Sequence, residues 1–278
     1  MAYKTIFTAL SDFDRSSPAL AMATALTDAQ DGHLEVMCLG LDRIQTTFYE
    51  IGSNAMIMQA AIEEAHEKAH ALSRKVSDYL QTQNIRWDVI NGVGNVEGVA
   101  QTVAPRARFA DLAVLDLPYG DECKAEDSLV LEAMLFSADC PTLVVPKGDF
   151  AAAPKKVIVA WNESAEAMHA ARLALPFLKA ADEVHIAIID PPQLGPDRSD
   201  PGGPLAVYLF RHGITCDIQV MTSGGKPVSD RLSQYVTEAG GDLLVMGGYG
   251  HSRFREAILG GATRDMLEHA KVPVFMAH

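Results

Sequence analysis

The chain has 278 residues, 48% of them hydrophobic, and a formal net charge of −13. That length suits two domains, no apolar run reaches the ~20 residues needed to span a bilayer, and the acidic balance argues against a nucleic-acid partner, whose phosphates need a basic face. The charge is uneven: residues 1–149 hold 11 Lys and Arg against 22 Asp and Glu, and residues 150–278 hold 12 against 14. An anion is therefore better received by the second half. The start, Met-Ala-Tyr-Lys-Thr-Ile-Phe, lacks the charged head and apolar middle of a signal peptide. Cys38, Cys123, Cys140 and Cys216 are scattered without a C-x-x-C pair, so reduced thiols and a cytoplasmic location are the expectation.

In chain order, Thr5 to Leu10 reads as a buried strand, followed by the polar turn Ser11 to Pro18 and a helix with Leu20, Ala23 and Leu26 on one face. Leu34 to Leu39 is a second strand, and a long helix covers Ala55 to Leu80. Trp87 to Ile90 is a strand ending in Asn91-Gly-Val-Gly. A helix from Val96 to Ala107, a strand from Leu112 to Asp116 and a helix from Leu129 to Phe136 follow, and Thr142-Leu-Val-Val closes the half. Alternation of this kind implies a mostly parallel sheet covered by helices on both faces. Lys147 to Lys156, with its Gly, Pro and small residues, reads as a linker.

The pattern then restarts. Val157-Ile-Val-Ala-Trp-Asn echoes Ile6-Phe-Thr-Ala-Leu-Ser, Asp242-Leu-Leu-Val-Met echoes Asp111-Leu-Ala-Val-Leu, and Lys271-Val-Pro-Val-Phe-Met echoes Asp139-Cys-Pro-Thr-Leu-Val. One α/β unit is repeated. The second copy is shorter: a Pro/Gly/Asp loop from Asp190 to Pro204 and a brief helix replace the long helix of the first. Its next-to-last strand, Leu243 to Met246, runs into Gly247, Gly248 and Gly250, and after a loop of mixed polarity Gly260-Gly261-Ala262-Thr263 opens a helix. A strand, a glycine turn and a glycine-opened helix present unpaired backbone N–H groups to an anion.

These residues resemble the universal stress protein family, in its tandem form, over nearly the whole chain. The strongest part is Gly247-x2-Gly250-x9-Gly260, the spacing of that family's ATP-binding signature, with the Val-Pro-Val strand after it. The resemblance implies two tandem three-layer α/β/α domains with mostly parallel five-stranded sheets, adenine nucleotide alpha hydrolase-like, at 1–149 and 150–278. They would pack as an internal pseudo-dimer, with Leu143-Val-Val antiparallel beside Val274-Phe-Met; a further homodimer is left open. It implies ATP, with or without magnesium, as ligand, protein partners of unstated kind, and a role in stress response as a nucleotide sensor rather than an enzyme. Ala160, Trp161, Asn162, Ile188 and Met246 would form the adenine side. Gly247, Gly250, Gly260, Gly261, Ala262 and Thr263 would hold phosphates and ribose, with Arg253 offsetting charge beside Arg255 and Arg264.

Two residues depart from the family pattern: Gly261 stands where a Ser or Thr is usual, and Asn162 where an Asp is usual. The first half departs further. Asp116 takes the place of Gly247, the glycine triad is gone, and Asp121, Glu122, Glu126 and Asp127 would repel a triphosphate, so this half is expected not to bind ATP. Ser11, with Asp12 beside it, replaces the first-strand acid.

Other readings compete. The glycines can serve turns and helix packing alone, and the chain can be a nucleotide-free interaction scaffold of the same family. His66-Glu-Lys-Ala-His70 fits the zinc-protease pattern H-E-x-x-H. However, an apolar stripe of Ile62, Ala65, Ala69, Leu72 and Val76 leaves both imidazoles on a charged flank, and no third ligand is apparent. Gly-x-Ser-x-Gly and Gly-x4-Gly-Lys-[Ser/Thr] are both missing, so no residue is in sight to cleave a bound nucleotide.

Overall fold

The computed structural model describes residues 2–43, 54–191, 200–248 and 261–278, with backbone alone at 54–57 and 262. By its contacts the chain forms two compact units, Tyr3–Cys140 and Pro141–His278, the latter joined by Ala2.

The first unit alternates β1 (Thr5–Leu10), α1 (Ser17–Ala29), β2 (His33–Asp42), α2 (Asn54–Leu80), β3 (Arg86–Asn95), α3 (Val99–Ala107), β4 (Leu112–Asp116) and α4 (Ala125–Glu132). Its strands lie parallel in the order β3-β2-β1-β4. Ile6, Leu34 and Leu112, level with one another across three strands, are fully buried.

Three details differ from the sequence reading. β3 runs on through its glycines to Asn95, because β2 pairs with it as far as Asp42. α4 starts at Ala125, where the Lys124 amide donates to Asp127 at 2.7 Å, and ends in a π-helical turn over Ala133–Ser137. On α2 the buried stripe is Ala61, Ala65, Ala69, Leu72, Val76 and Leu80, whereas Ile62 is 46% exposed.

The second unit opens with β5 (Thr142–Val145) and continues with β6 (Lys156–Ala160), α5 (Ala165–Leu173), α6 (Leu175–Ala180), β7 (Glu183–Ile189), α7 (Gly203–Arg211), β8 (Asp217–Met221), α8 (Val228–Ala239), β9 (Leu243–Gly247), α9 (Gly261–Glu268) and β10 (Val274–Ala277). The strand order is β5-β10-β9-β6-β7-β8. All neighbours are parallel except β5 and β10, which run antiparallel with Leu143 opposite Phe275. That is the pairing the family resemblance implies, and it places β5 by its contacts in the second unit. Phe275 is fully buried and meets Phe177 edge-on at 6.0 Å.

The echo between Asp111 and Asp242 has a physical cause. In the first unit the Asp111 carboxylate accepts the amides of Lys4 and Thr5 at 2.7 and 2.9 Å. In the second, Asp242 accepts those of Lys155 and Lys156 at 2.8 and 2.9 Å. Each aspartate fastens one strand (β1 or β6) to the loop entering a neighbouring one (β4 or β9), satisfying amides at the sheet's lower edge.

Candidate functional site

In an open parallel sheet, ligands sit outside the carboxyl ends of the strands. In the second unit those ends belong to β6, β7 and β9, which are neighbours, with Val159 level with Val245 and Ala160 level with Ala187. Ala160, Trp161, Ile188, Met246 and Gly247 therefore gather at one edge of one sheet. Ile188 is buried, while the other four are half-buried.

Trp161 is held at both ends: its amide donates to Ala187 O at 2.9 Å and its indole Nε1 to Pro201 O at 3.1 Å. Asn162 is exposed, and its side-chain oxygen accepts the Ser164 amide at 3.2 Å. Ser164 then caps α5 by accepting the Ala167 amide at 3.1 Å. Between them Glu163 takes a left-handed φ of 61°. The turn leaving β6 is thus built by its own polar side chains.

Gly247 has a steric reason to be glycine. A Cβ there would lie 2.6 Å from the Ala167 amide nitrogen and 2.7 Å from the Glu166 carbonyl carbon, so β9 ends pressed against the start of α5. Gly261 is the opposite case. It is exposed at the first position of α9, and among the described residues nothing lies within 4 Å of where its Cβ would be. Thr263, one turn in, is buried, and Arg264 lies 3.8 Å from Glu268 on the same helix. Gly250, Arg253, Arg255 and Gly260 fall outside the described residues.

Two histidines that sequence reasoning passed over lie at the root of the loop. The Gly248 amide donates to Ala277 O at 2.8 Å, and Gly248 O pairs with His278 Nδ1 at 3.1 Å. His169 of α5 in turn bonds His278 O at 2.8 Å. Separations of 30 and 109 residues leave no local signal for either contact.

At the first unit's corresponding edge charged side chains pair with one another. Arg15, from the turn after β1, pairs with Asp127 at 2.5 Å; Arg43, at the end of β2, pairs with Glu126; Lys124 lies 3.7 Å from Asp12. The acids foreseen as repelling a phosphate are in place, but Glu126 and Asp127 are paired, by cations far away in sequence. Burial pushes the Asp116 carboxyl up to about 6, although Arg15 opposes the shift, and it raises Asp127 as well. The space between Ser11, Arg15, Asp116 and Asp127 is about 20 Å³, roughly one water's worth.

The H-E-x-x-H histidines both lie on the exposed side of α2, and His70 Nδ1 meets the Asn91 amide group at 3.1 Å. Among the described residues no three His, Cys, Asp or Glu side chains are grouped to hold a metal ion.

Comparison with known proteins places this architecture. Residues 154–278 match the family model described as the universal stress protein family. A curated relative, Universal stress protein Slr1230 of Synechocystis, is 27% identical over 145 residues, which is 52% of this chain and 49% of that protein. The chain thus spans about half the length of the curated relative it matches. A universal stress protein of Archaeoglobus fulgidus superposes over 99% of this chain and 96% of its own, with 17% identity and a TM-score of 0.74. A protein of unknown function from Pseudomonas aeruginosa PAO1 does so over 99% and 92%, with 13% identity and a TM-score of 0.63. At such identities the superpositions speak for the fold, a nucleotide alpha hydrolase-like α/β architecture; the family assignment comes from the sequence match. Through residues 154–278, the chain matches the universal stress protein family.

Proposed function

We propose that the second unit binds an adenine nucleotide of the ATP type, and that the chain serves as a stress-associated nucleotide sensor rather than a hydrolase. The observation that carries this is Gly261: an exposed first residue of a helix, at the end of a loop whose glycine spacing fits phosphate binding. Ala160, Trp161, Ile188 and Met246 would border the base. Gly247 and Gly261, with Gly250, Arg253, Gly260, Ala262 and Thr263 of the signature, would serve phosphates and ribose. Magnesium, if it accompanies the nucleotide, would be held mainly by phosphate oxygens. The residues 1–149 and 150–278 are read as two family-type domains forming an internal pseudo-dimer in the cytoplasm, with the first domain's ion-paired edge unable to take a nucleotide.

Gly261→Asp tests the reading. Among the described residues nothing obstructs the new side chain, and a carboxylate at a helix start is stabilising rather than harmful. Calorimetric titration should show ATP binding to the native chain and binding about tenfold weaker or more in Gly261→Asp, since one repulsive charge contact is on the order of 1–2 kcal/mol. Absence of ATP binding to the native chain, or equal binding in both, overturns it.

One observation favours a nucleotide-free scaffold instead: the Asn162 oxygen, foreseen as a base contact, is already engaged by the Ser164 amide. Native mass spectrometry of chain purified without added nucleotide separates the two readings, because co-purified ATP, ADP or AMP belongs only to the first.

A further inference from the structure

The outer strand of the second unit, β8, pairs with β7 and, among the described residues, with no other strand. Its two faces can be told apart. Asp217 lies 3.9 Å from His185, which bonds Tyr235 of α8 at 2.7 Å, so Asp217, Gln219 and Met221 face α8. Ile218 and Val220 take the other face, where a Cβ on Gly202 just before α7 would come within 2.9 Å of Ile218.

Among the described residues this edge is thinly guarded. In the first unit the matching strand β3 carries Arg86 and Asp88 and is overlaid by the 27 residues of α2. β8 has no Lys, Arg or Pro, its single charge being Asp217 at its first residue, and α7 is only nine residues long. Val220 is 54% exposed, and α7 adds Val207 at 51% and Phe210 at 72%. Proteins usually blunt such strands with charge, proline or a cover, because unpaired backbone groups beside apolar side chains template another strand.

We propose that β8 is a contact surface for a second copy of this chain, two β8 strands pairing antiparallel about a two-fold axis through Gln219. The strand Asp-Ile-Gln-Val-Met is self-complementary in that register. Ile218 lies opposite Val220 of the partner subunit, and Val220 opposite the partner subunit's Ile218, apolar pairs of the kind that stabilise sheets. Asp217 lies opposite Met221 of the partner subunit, and the two Asp217 carboxylates stand roughly 14 Å apart at ~3.4 Å per residue. All five residues overlap and no like charges meet. A one-residue slip would put Ile218 and Val220 opposite the other face's residues. The contact is independent of nucleotide binding and of the β5–β10 pairing.

The test is positional cross-linking in the full chain with Cys123→Ser and Cys216→Ser, leaving the buried Cys38 and Cys140 in place. Directly opposed Cα atoms lie ~4.5–5.5 Å apart, within disulfide reach. Gln219→Cys should therefore give a covalent dimer on mild oxidation, and Asp217→Cys should not. Sedimentation of the otherwise native chain should show a dimer that Val220→Lys weakens by about tenfold or more, as charge on an edge strand does, with circular dichroism unchanged. A chain monomeric to roughly 100 μM, a Gln219→Cys variant linking no better than Asp217→Cys, or a dimer indifferent to Val220→Lys would each overturn the proposal. Co-sedimentation with a different protein instead of a second copy would overturn it too.

Discussion

Asp242 and Gly247 bracket β9, and their roles differ in kind. Asp242→Ala removes the acceptor of two backbone amides and should cost about 1–3 kcal/mol, read as a lower urea midpoint with unchanged slope. Gly247→Ala puts a methyl into the backbone of α5 and should cost about 1–3 kcal/mol through displacement of that helix. Asp116 supplies a pH test. Its folded pKa, about 6, lies above the ordinary carboxylate value, so the folded state holds the proton more tightly than the unfolded chain. The resulting penalty is absent below the unfolded value, grows as pH rises through the gap, and is fully present above about 6. Asp116→Asn should thus stabilise by roughly 1–2 kcal/mol at pH 7.5 and by little near pH 3.5, compared by urea melts at both. Loss of the attraction to Arg15 keeps the gain below the full shift.

At the level of elements, period and punctuation carried most of the reading. Strands such as Leu112–Asp116 and Leu243–Gly247 are short apolar runs flanked by polar or glycine residues, and α2 has an unmistakable stripe, so both kinds were visible locally. The stripe's membership was not: Ile62 and Ala61 are adjacent, and a helical wheel cannot decide which of them meets a sheet. β3 was read too short because its last residues pair through β2, a partner 53 residues away, rather than through any preference of their own. The ion pairs of Arg15 with Asp127 and Arg43 with Glu126 were illegible for the same reason, being separations of 112 and 83 residues. At the candidate site the glycine spacing was legible, whereas the use of Asn162 as a local turn-former was not.

For the molecule as a whole, β5 and β10 show that the covalent linker and the packing boundary differ. Cutting at residue 150, as the sequence suggests, removes the strand opposite Val274–Met276 and leaves an apolar edge bare. A fragment of residues 150–278 should therefore associate through β10 in addition to any contact the full chain makes, forming larger particles measurable by light scattering. Phe275→Ala in the intact chain should cost about 3–5 kcal/mol, because it empties a site that Phe177 also fills.

The twin aspartates, Asp111 and Asp242, anchor the foot of each sheet, whereas the first unit's ion pairs and the second unit's candidate site lie at the opposite rim. Each unit therefore keeps its foundations and its chemistry at arm's length. One rim can carry arginine–carboxylate clasps and the other an exposed helix start without either loosening the footing.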